Sequence, residues 1–132
     1  MRDHAMNEHD APEVLDLDEK LASFEALWTP HRIARFDGHQ LLLAKVEGEF
    51  VWHDHSDHDE VFMPLTGVLT MDLEGGPSRR VGPGQVLVVP AGVRHRPRAE
   101  EGPVSMLVID PMGVKHTGDE VCDRTVEDYP DI

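Results

Sequence analysis

The sequence predicts an all-β fold, a sandwich or barrel of short antiparallel strands of the jelly-roll type. Turn signals that contain glycine or proline recur about every ten residues between residues 31 and 113. The segments between these turns either alternate apolar and polar residues or are continuously apolar, as strands do. With 132 residues, the chain has the length of one domain with its own core.

Residues 1–30 are predicted to form an N-terminal arm with a short helix over residues 16–28. Asp16 followed by Glu19 resembles a capping box, the residue pair that begins many helices. Apolar residues then recur at helical spacing, and Pro30 ends the pattern.

From residue 31 onward the pattern changes to that of strands and turns. The pair Asp37-Gly38 is a strong hairpin signal and predicts two paired strands, over 31–36 and 39–47. The run over 85–89 is continuously apolar, which predicts a buried strand. The other predicted strands lie over residues 50–55, 60–66, 68–74, 94–99 and 104–110. Residues 31–113 are therefore the predicted barrel.

The charge distribution excludes several classes of partner. The formal net charge is −14, which argues against binding to nucleic acid or to an anionic membrane surface. Half of the acidic residues lie in residues 1–20 and 119–132, and the C-terminal stretch 114–132 is therefore predicted to be an acidic, solvated tail.

Several features of the sequence bear on its location. There is no apolar run of about 20 residues, as a membrane helix requires, and the N-terminal residues are polar and acidic. The single cysteine, Cys122, excludes an intrachain disulfide and a zinc site built from cysteines. We therefore expect a cytoplasmic protein without a membrane partner.

Four residues in the middle of the chain carry the chemistry. His53 and His55 lie two residues apart in a predicted strand, so both imidazoles face the same side of the sheet. Glu60 begins the next predicted strand, and His95 follows a turn 40 residues after His55. Considered separately, each of the four residues is better interpreted as an ordinary strand or loop residue than as a metal ligand. If a barrel brings them together, three imidazoles and one carboxylate suit a first-row divalent ion: Fe, Mn, Ni, Co, Cu or Zn.

The spacing of these residues resembles the two conserved motifs of the cupin family. The first motif corresponds to Gly48, His53, His55, Glu60 and Gly67. The second corresponds to Gly84, Pro90, Gly92 and His95. Two positions depart from the family pattern: Gly48 lies one residue closer to His53, and Ala99 replaces the usual asparagine. Neither departure affects a ligand position.

The resemblance covers roughly residues 39–113 and is greatest to small single-domain cupins of the mannose-6-phosphate-isomerase-like group. It implies a cupin jelly-roll (double-stranded β-helix) barrel that binds one divalent metal ion. It implies a metal-dependent oxygenase, isomerase or lyase that acts on a small metabolite, although the substrate is not specified. The alternative is a non-catalytic metal-dependent binding or sensing module, and a purely structural barrel is the third interpretation. We also expect a homodimer, since small barrels often pair through exposed sheet edges.

The remaining candidate residues have two interpretations each. His58 is either an additional ligand or proton shuttle, or a solvated loop histidine. Phe62 and Met71 either line the cavity or pack in the core. Arg94, Arg96 and Arg98 are expected on the strand face opposite His95, in an exposed or dimer-facing basic strip. No catalytic acid or base is identified, because the single tyrosine lies in the predicted tail.

Overall fold

A computed structural model describes residues 5–55, 57–113, 117 and 128–132. The elements are a 3-10 turn over Glu8–Asp10, helix α1 over Leu17–Ala22, and strands β1 (His31–Phe36), β2 (His39–Glu49), β3 (Glu60–Thr66), β4 (Leu69–Leu73), β5 (Arg79–Val81), β6 (Leu87–Val89) and β7 (His95–Pro111). Cys122 lies outside the described residues.

All paired strands are antiparallel, and β7 is the centre of the sheet. Along the sheet the order is β1-β2-β7-β3-β6, while β4 pairs with both β7 and β5. The 17 residues of β7 therefore contact three other strands. This confirms the predicted all-β class with little helix.

The β1–β2 hairpin forms where the sequence predicts it. Asp37 and Gly38 both have positive φ angles, 46° and 74°, as a two-residue turn between twisted strands requires. Phe36 then pairs with His39, the first residue of β2.

Strand β2 separates two apolar clusters because its side chains alternate between the two faces of the sheet. Leu42 and Val46 face the main core inside the barrel. Leu43 faces a second cluster on the other side, where Leu21 of α1 and Phe24 pack against it. Helix α1 therefore covers the outer face of the sheet.

Helix α1 is shorter than predicted, six residues instead of the predicted span 16–28. Its beginning agrees with the capping interpretation, because the Asp16 side chain accepts a hydrogen bond from the Glu19 backbone N–H. It ends early because the Ser23 hydroxyl donates to the Lys20 carbonyl oxygen, at 2.6 Å. Beyond that point Leu27 forms a bridge to Lys45, so tertiary pairing replaces the helix.

Three strand predictions differ from the structure. The segments 94–99 and 104–110 form the single strand β7, and 50–55 contributes only a bridge between His53 and His95. The predicted buried strand over 85–89 is reduced to β6, in which Val88 is 51% exposed. Val88 is exposed because β6 lies at the edge of the sheet and pairs with β3 alone.

The described end of the C-terminal segment packs on the barrel, contrary to the expectation of a solvated tail. The Arg32 N–H donates to the Pro130 carbonyl oxygen at 2.7 Å, and the Ile132 N–H donates to the Arg32 carbonyl oxygen at 3.0 Å. Tyr129 is 4% exposed and belongs to the main core. Apolar burial and backbone pairing outweigh the acidic character of the segment at these residues.

Among the described residues, none of the helical segments has the length and apolar character needed to cross a membrane.

Candidate metal centre

The structure brings the four predicted ligands together. His53, His55, Glu60 and His95 are all buried, and each offers a ligand atom within 4.8 Å of those of the other three. His53 and His95 lie side by side because their backbones exchange two hydrogen bonds, at 2.8 and 2.9 Å. Glu60 is the first residue of β3, and its carboxylate completes the group.

Backbone hydrogen bonds determine which ring nitrogen His53 and His95 present to the centre of the cluster. Nδ1 of His53 lies 2.9 Å from the Val51 carbonyl oxygen, and Nδ1 of His95 lies 2.9 Å from that of Val93. A carbonyl oxygen only accepts hydrogen bonds, so Nδ1 carries the proton in each ring. Nε2 of each ring is then left with a lone pair for a metal ion, the arrangement common among metal-binding histidines.

The arrangement of the donor atoms suits coordination of a cation better than hydrogen bonding among the four side chains. Glu60 Oε1 lies 3.2 Å from His55 Nε2 and 3.4 Å from His95 Nε2. Within the described residues, neither Glu60 Oε1 nor His95 Nε2 makes a hydrogen bond of normal geometry, although both are fully buried. Buried acceptors that face each other are costly, and a divalent ion between them would remove that cost.

The protonation states also suit metal binding. Burial, together with the neighbouring His95, lowers the pKa of His53 to about 4, so this imidazole is neutral at pH 7. Burial by itself would raise the pKa of Glu60, but the hydrogen bonds and positive charge that His55 and His95 offer in their protonated forms outweigh burial and hold that pKa well below its usual range. Neutral imidazoles and an ionised carboxylate are the forms that coordinate metals.

Asp110 is a second buried carboxyl beside Glu60, and neither sequence motif includes it. The β3–β7 register pairs Val61 with Ile109, which places Glu60 and Asp110 at neighbouring cross-strand positions. Burial, and then the charge of Glu60, raises the pKa of Asp110 to about 8. The signal was available, because Asp110 continues the inward-facing alternation of Met106 and Val108.

A chain of hydrogen bonds connects Asp110 to the C-terminal segment. Gln40, fully buried, donates through Nε2 to Asp110 Oδ1 at 2.8 Å. Its Oε1 accepts a hydrogen bond from Arg32 Nε at 2.9 Å. Arg32 in turn lies 3.2 Å from the carboxylate of Asp131. The C-terminal residues therefore contact, through buried side chains, the carboxyl group next to the candidate ligand Glu60.

A cavity lies against the cluster. It encloses about 430 Å³ of empty space, its open mouth included, and His53 and Glu60 form part of its wall. Phe62 and Asp110 also line it, whereas Met71 packs fully buried in the main core.

His58 lies near the cluster without belonging to it. Its ring centroid is 4.6 Å from that of His55, and its Nδ1 lies 3.0 Å from the Asp59 carbonyl oxygen. The side chain is half-buried. The four-residue group forms without it.

Arg96 and Arg98 form an ion-pair network rather than a free basic strip. Both guanidinium groups bind the Asp72 carboxylate, at 2.8 and 2.7 Å, and Ser78 Oγ donates to it at 2.6 Å. The Arg98 hydrogen bonds, together with those of Ser78 and Arg96, hold the pKa of Asp72 well below its usual range. The network joins β4 to the part of β7 that begins with His95.

The comparison with known families agrees with the fold and the site. A family model described as the cupin domain matches residues 40–110, more than half of the chain. The chain therefore belongs to the cupin family, and the resemblance seen in the two motifs is confirmed.

Relatives of similar size support the assignment. The uncharacterized protein YdbB of Bacillus subtilis (strain 168) is 31% identical over 93 residues, which cover 70% of this chain and 76% of that protein. The crystal structure of a cupin-2 domain protein from Shewanella frigidimarina NCIMB 400 is 37% identical, with a TM-score of 0.72, and covers 74% of this chain and 94% of its own. The protein NMB1881 from Neisseria meningitidis is 34% identical, with a TM-score of 0.69, over 75% of this chain and 99% of its own.

Proposed function

We propose that this cupin binds one divalent transition-metal ion through His53, His55, Glu60 and His95, and that it uses the ion to bind a small molecule in the adjacent cavity. The main support is the convergence of four buried donor atoms within 4.8 Å. Imidazole and carboxylate ligands suit Fe, Mn, Ni, Co, Cu or Zn, and the geometry favours none of these. His58 is proposed as a neighbour of the site rather than a ligand.

The function proposed first is enzymatic, of an oxygenase, isomerase or lyase type. A metal ion at this position would act as a Lewis acid on an oxygen of the substrate. His53 and Glu60 line the cavity, so the chain holds the ion where a bound molecule would meet it. Asp110 contributes a second carboxyl group to the same wall, a candidate for moving a proton to or from the substrate.

The second candidate function is non-catalytic binding or sensing of a small molecule. The composition of the cavity wall favours this binding function, because most lining residues are apolar and carry no acidic or basic group. Such a wall suffices to bind a ligand, and fold alone does not choose between the two functions. Turnover of a bound molecule would favour the first, and tight binding without turnover the second.

A homodimer is proposed as the state of the protein in solution. Strand β6 is a sheet edge; Val86, just before it, is 57% exposed, and Val88, within it, is 51% exposed. Exposed apolar residues on an open edge are the features that a second copy would cover.

The metal content of the purified, untagged protein tests the proposal. We expect close to one metal ion per chain by mass spectrometry in the wild type, and a loss of most of it in His53→Ala, because one of four ligands is removed. His39→Ala is the matched control, since His39 is exposed and belongs to no cluster among the described residues. His58→Ala is expected to keep the metal.

Two results would contradict the proposal. One is a wild-type protein that takes up none of the six ions after incubation with each. The other is equal metal content in wild type and His53→Ala, because the ion would then be bound elsewhere.

A further inference from the structure

We infer that Asp59, an exposed residue of neither sequence motif, is a positioning residue for the metal site, because its side chain holds the turn before His95 against the loop that leads to Glu60. The inference rests on the proposed function, since it takes the ion to be bound at the four-residue cluster. It goes further by assigning a role to a residue that supplies no ligand atom to that cluster.

The turn between β6 and β7 brings His95 into the cluster. Strand β6 ends at Val89, and the Val93 N–H closes the turn by donating to the Pro90 carbonyl oxygen at 3.2 Å. The Val93 carbonyl oxygen in turn lies 2.9 Å from Nδ1 of His95. A partner of this kind orients a ligating imidazole, so the position of the turn determines the direction in which Nε2 of His95 points.

Two hydrogen bonds join this turn to the loop before β3. The Gly92 N–H donates to the His55 carbonyl oxygen at 2.8 Å. The Ala91 N–H donates to Asp59 Oδ1 at 2.9 Å. His55 is a candidate ligand, and Asp59 directly precedes the candidate ligand Glu60. The two bonds therefore connect the turn to a loop that carries a ligand at each of its ends.

The bond from Asp59 continues the pairing of β3 with β6 beyond the point where backbone pairing ends. The ladder has three residue pairs, and the last of them places Glu60 opposite Val89. Pro90 has no N–H, so the Ala91 N–H is the first backbone donor after the ladder. The Asp59 carboxylate accepts this hydrogen bond in the place of a backbone carbonyl group. Because β6 pairs with β3 alone, this contact acts on the less supported side of the site.

Three variants separate the hydrogen bond from the charge of Asp59. Asp59→Ala removes the acceptor, whereas Asp59→Asn retains a carbonyl oxygen that accepts the same N–H and removes only the charge. Asp57→Ala is the matched control. Asp57 carries the same charge, is exposed and lies two residues earlier in the loop, and the hydrogen bonds described for the turn do not involve it.

The first measurement is the Zn²⁺ affinity of the full chain, by competition with a chelator. We expect Asp59→Ala to bind Zn²⁺ about tenfold less tightly than the wild type, as the loss of a group that orients ligands does. Asp59→Asn and Asp57→Ala are expected to bind as the wild type does. An equal loss in Asp59→Asn and Asp59→Ala, or in Asp57→Ala and Asp59→Ala, would overturn the inference, because charge would then explain the effect.

The second measurement is the visible absorption spectrum of the protein saturated with Co²⁺, which depends on the geometry of the ligands around the ion. We expect the bands to shift in Asp59→Ala and to remain as in the wild type in Asp59→Asn and Asp57→Ala. A residue that only stabilised the fold would lower the Tm of the metal-free protein and leave the spectrum of the saturated protein unchanged. An unchanged spectrum in Asp59→Ala would therefore overturn the inference.

Failure of this inference is distinguishable from failure of the proposed function. A wild-type protein that takes up neither Zn²⁺ and Co²⁺ nor any other of the six ions removes the proposed function, and the inference falls with it. Normal uptake by the wild type, with the same affinity and spectrum in Asp59→Ala, leaves the metal site intact and removes the role of Asp59 alone.

Discussion

At Gly67, between β3 and β4, the structure tolerates no side chain. Its φ angle is +79°, in the left-handed region. A Cβ built at this position would overlap the Pro103 carbonyl oxygen and lie 3.1 Å from Val104 Cγ2. Both contacts belong to β7, so the close approach holds the β3–β4 turn against the central strand.

Gly67→Ala is therefore expected to destabilise the protein strongly. Strain in the left-handed region costs about 1–2 kcal/mol, and displacement of the β7 backbone adds to it. We expect a fall of about 3 kcal/mol or more in the free energy of unfolding, measured by urea denaturation.

Gly75→Ala is the matched control for this prediction. Gly75 has the same φ of +79° but no atom within 4 Å of its built Cβ. Its substitution is expected to cost only the backbone strain, about 1 kcal/mol. Equal losses for the two variants would show that the contact with β7 is unimportant.

At the scale of elements, Asp72 joins two strands. Asp72→Asn removes the charge that Arg96 and Arg98 share, and both arginines are only about a quarter exposed. We expect a loss of about 2 kcal/mol at pH 7 by urea denaturation. Glu101→Gln is the control, because its partner Arg80 lies on the exposed surface, and it is expected to change the stability little.

The same carboxylate predicts a pH dependence. The pKa of Asp72 is lower in the folded chain than in the unfolded one, so its contribution is fully present above the ordinary aspartate pKa of about 3.9. It is lost as the pH falls from that value toward the depressed folded pKa. The stability difference between wild type and Asp72→Asn should therefore shrink below about pH 4. A difference that stays constant down to pH 2 would contradict this assignment.

The buried link from the C-terminal segment through β1 and β2 to β7 is a second element-scale feature. Gln40→Leu would deprive Arg32 and Asp110 of the amide that both contact. We expect a loss of about 3 kcal/mol in the free energy of unfolding. We also expect metal affinity to fall about tenfold, because Asp110 would no longer be held beside Glu60.

Arg35→Met separates this effect from simple loosening of the C-terminal segment. Arg35 contacts the same Asp131 carboxylate at 3.2 Å, but it is half exposed. Although Arg35 pairs with Gln40 across the hairpin, the Gln40 side chain accepts its hydrogen bond from Arg32. We expect little change in stability or metal affinity. Affinities measured by competition with a chelator should therefore distinguish the two variants, and equal affinities would refute a role for the buried link.

For the whole molecule, the proposed metal site predicts coupling between binding and folding. Three of the ligands lie within residues 53–60, but His95 lies 35 positions after Glu60, so all four converge only when the barrel is closed. An ion at about 100 times its Kd should add about 2.7 kcal/mol and raise Tm by about 10 °C. His53→Ala should abolish the rise and EDTA should reverse it. A wild-type Tm that no ion changes would count against the site.

Much of the fold was predictable because strand and turn signals are local. The Asp37-Gly38 hairpin and the start of β3 at Glu60 agree with the structure, since each depends on a few adjacent residues. The extents of α1 and β6 were not predictable in the same way. Both are decided by tertiary contacts: Leu27 pairs with Lys45 where the predicted helix would continue, and β6 lies at an open sheet edge, where it pairs with β3 alone.

The candidate site also has a part that the sequence predicts and a part that only the tertiary structure reveals. Motif spacing identified His53, His55, Glu60 and His95, and the structure brings these four together. Motif spacing contained no indication of Asp110, because this residue approaches Glu60 through the register of β3 on β7. A residue of that kind is recognisable in the sequence only as a polar side chain in an inward-facing alternation.

By itself the sequence determined the all-β class, the family and the identity of the four candidate ligands, because turn chemistry, strand alternation and motif spacing act over a few residues at a time. The tertiary structure decided that His95 lies beside His53, that Asp110 lies beside Glu60 and that Tyr129 packs into the core. These contacts join residues 42, 50 and about 100 positions apart in the chain, and closing such distances requires the packed barrel as a whole.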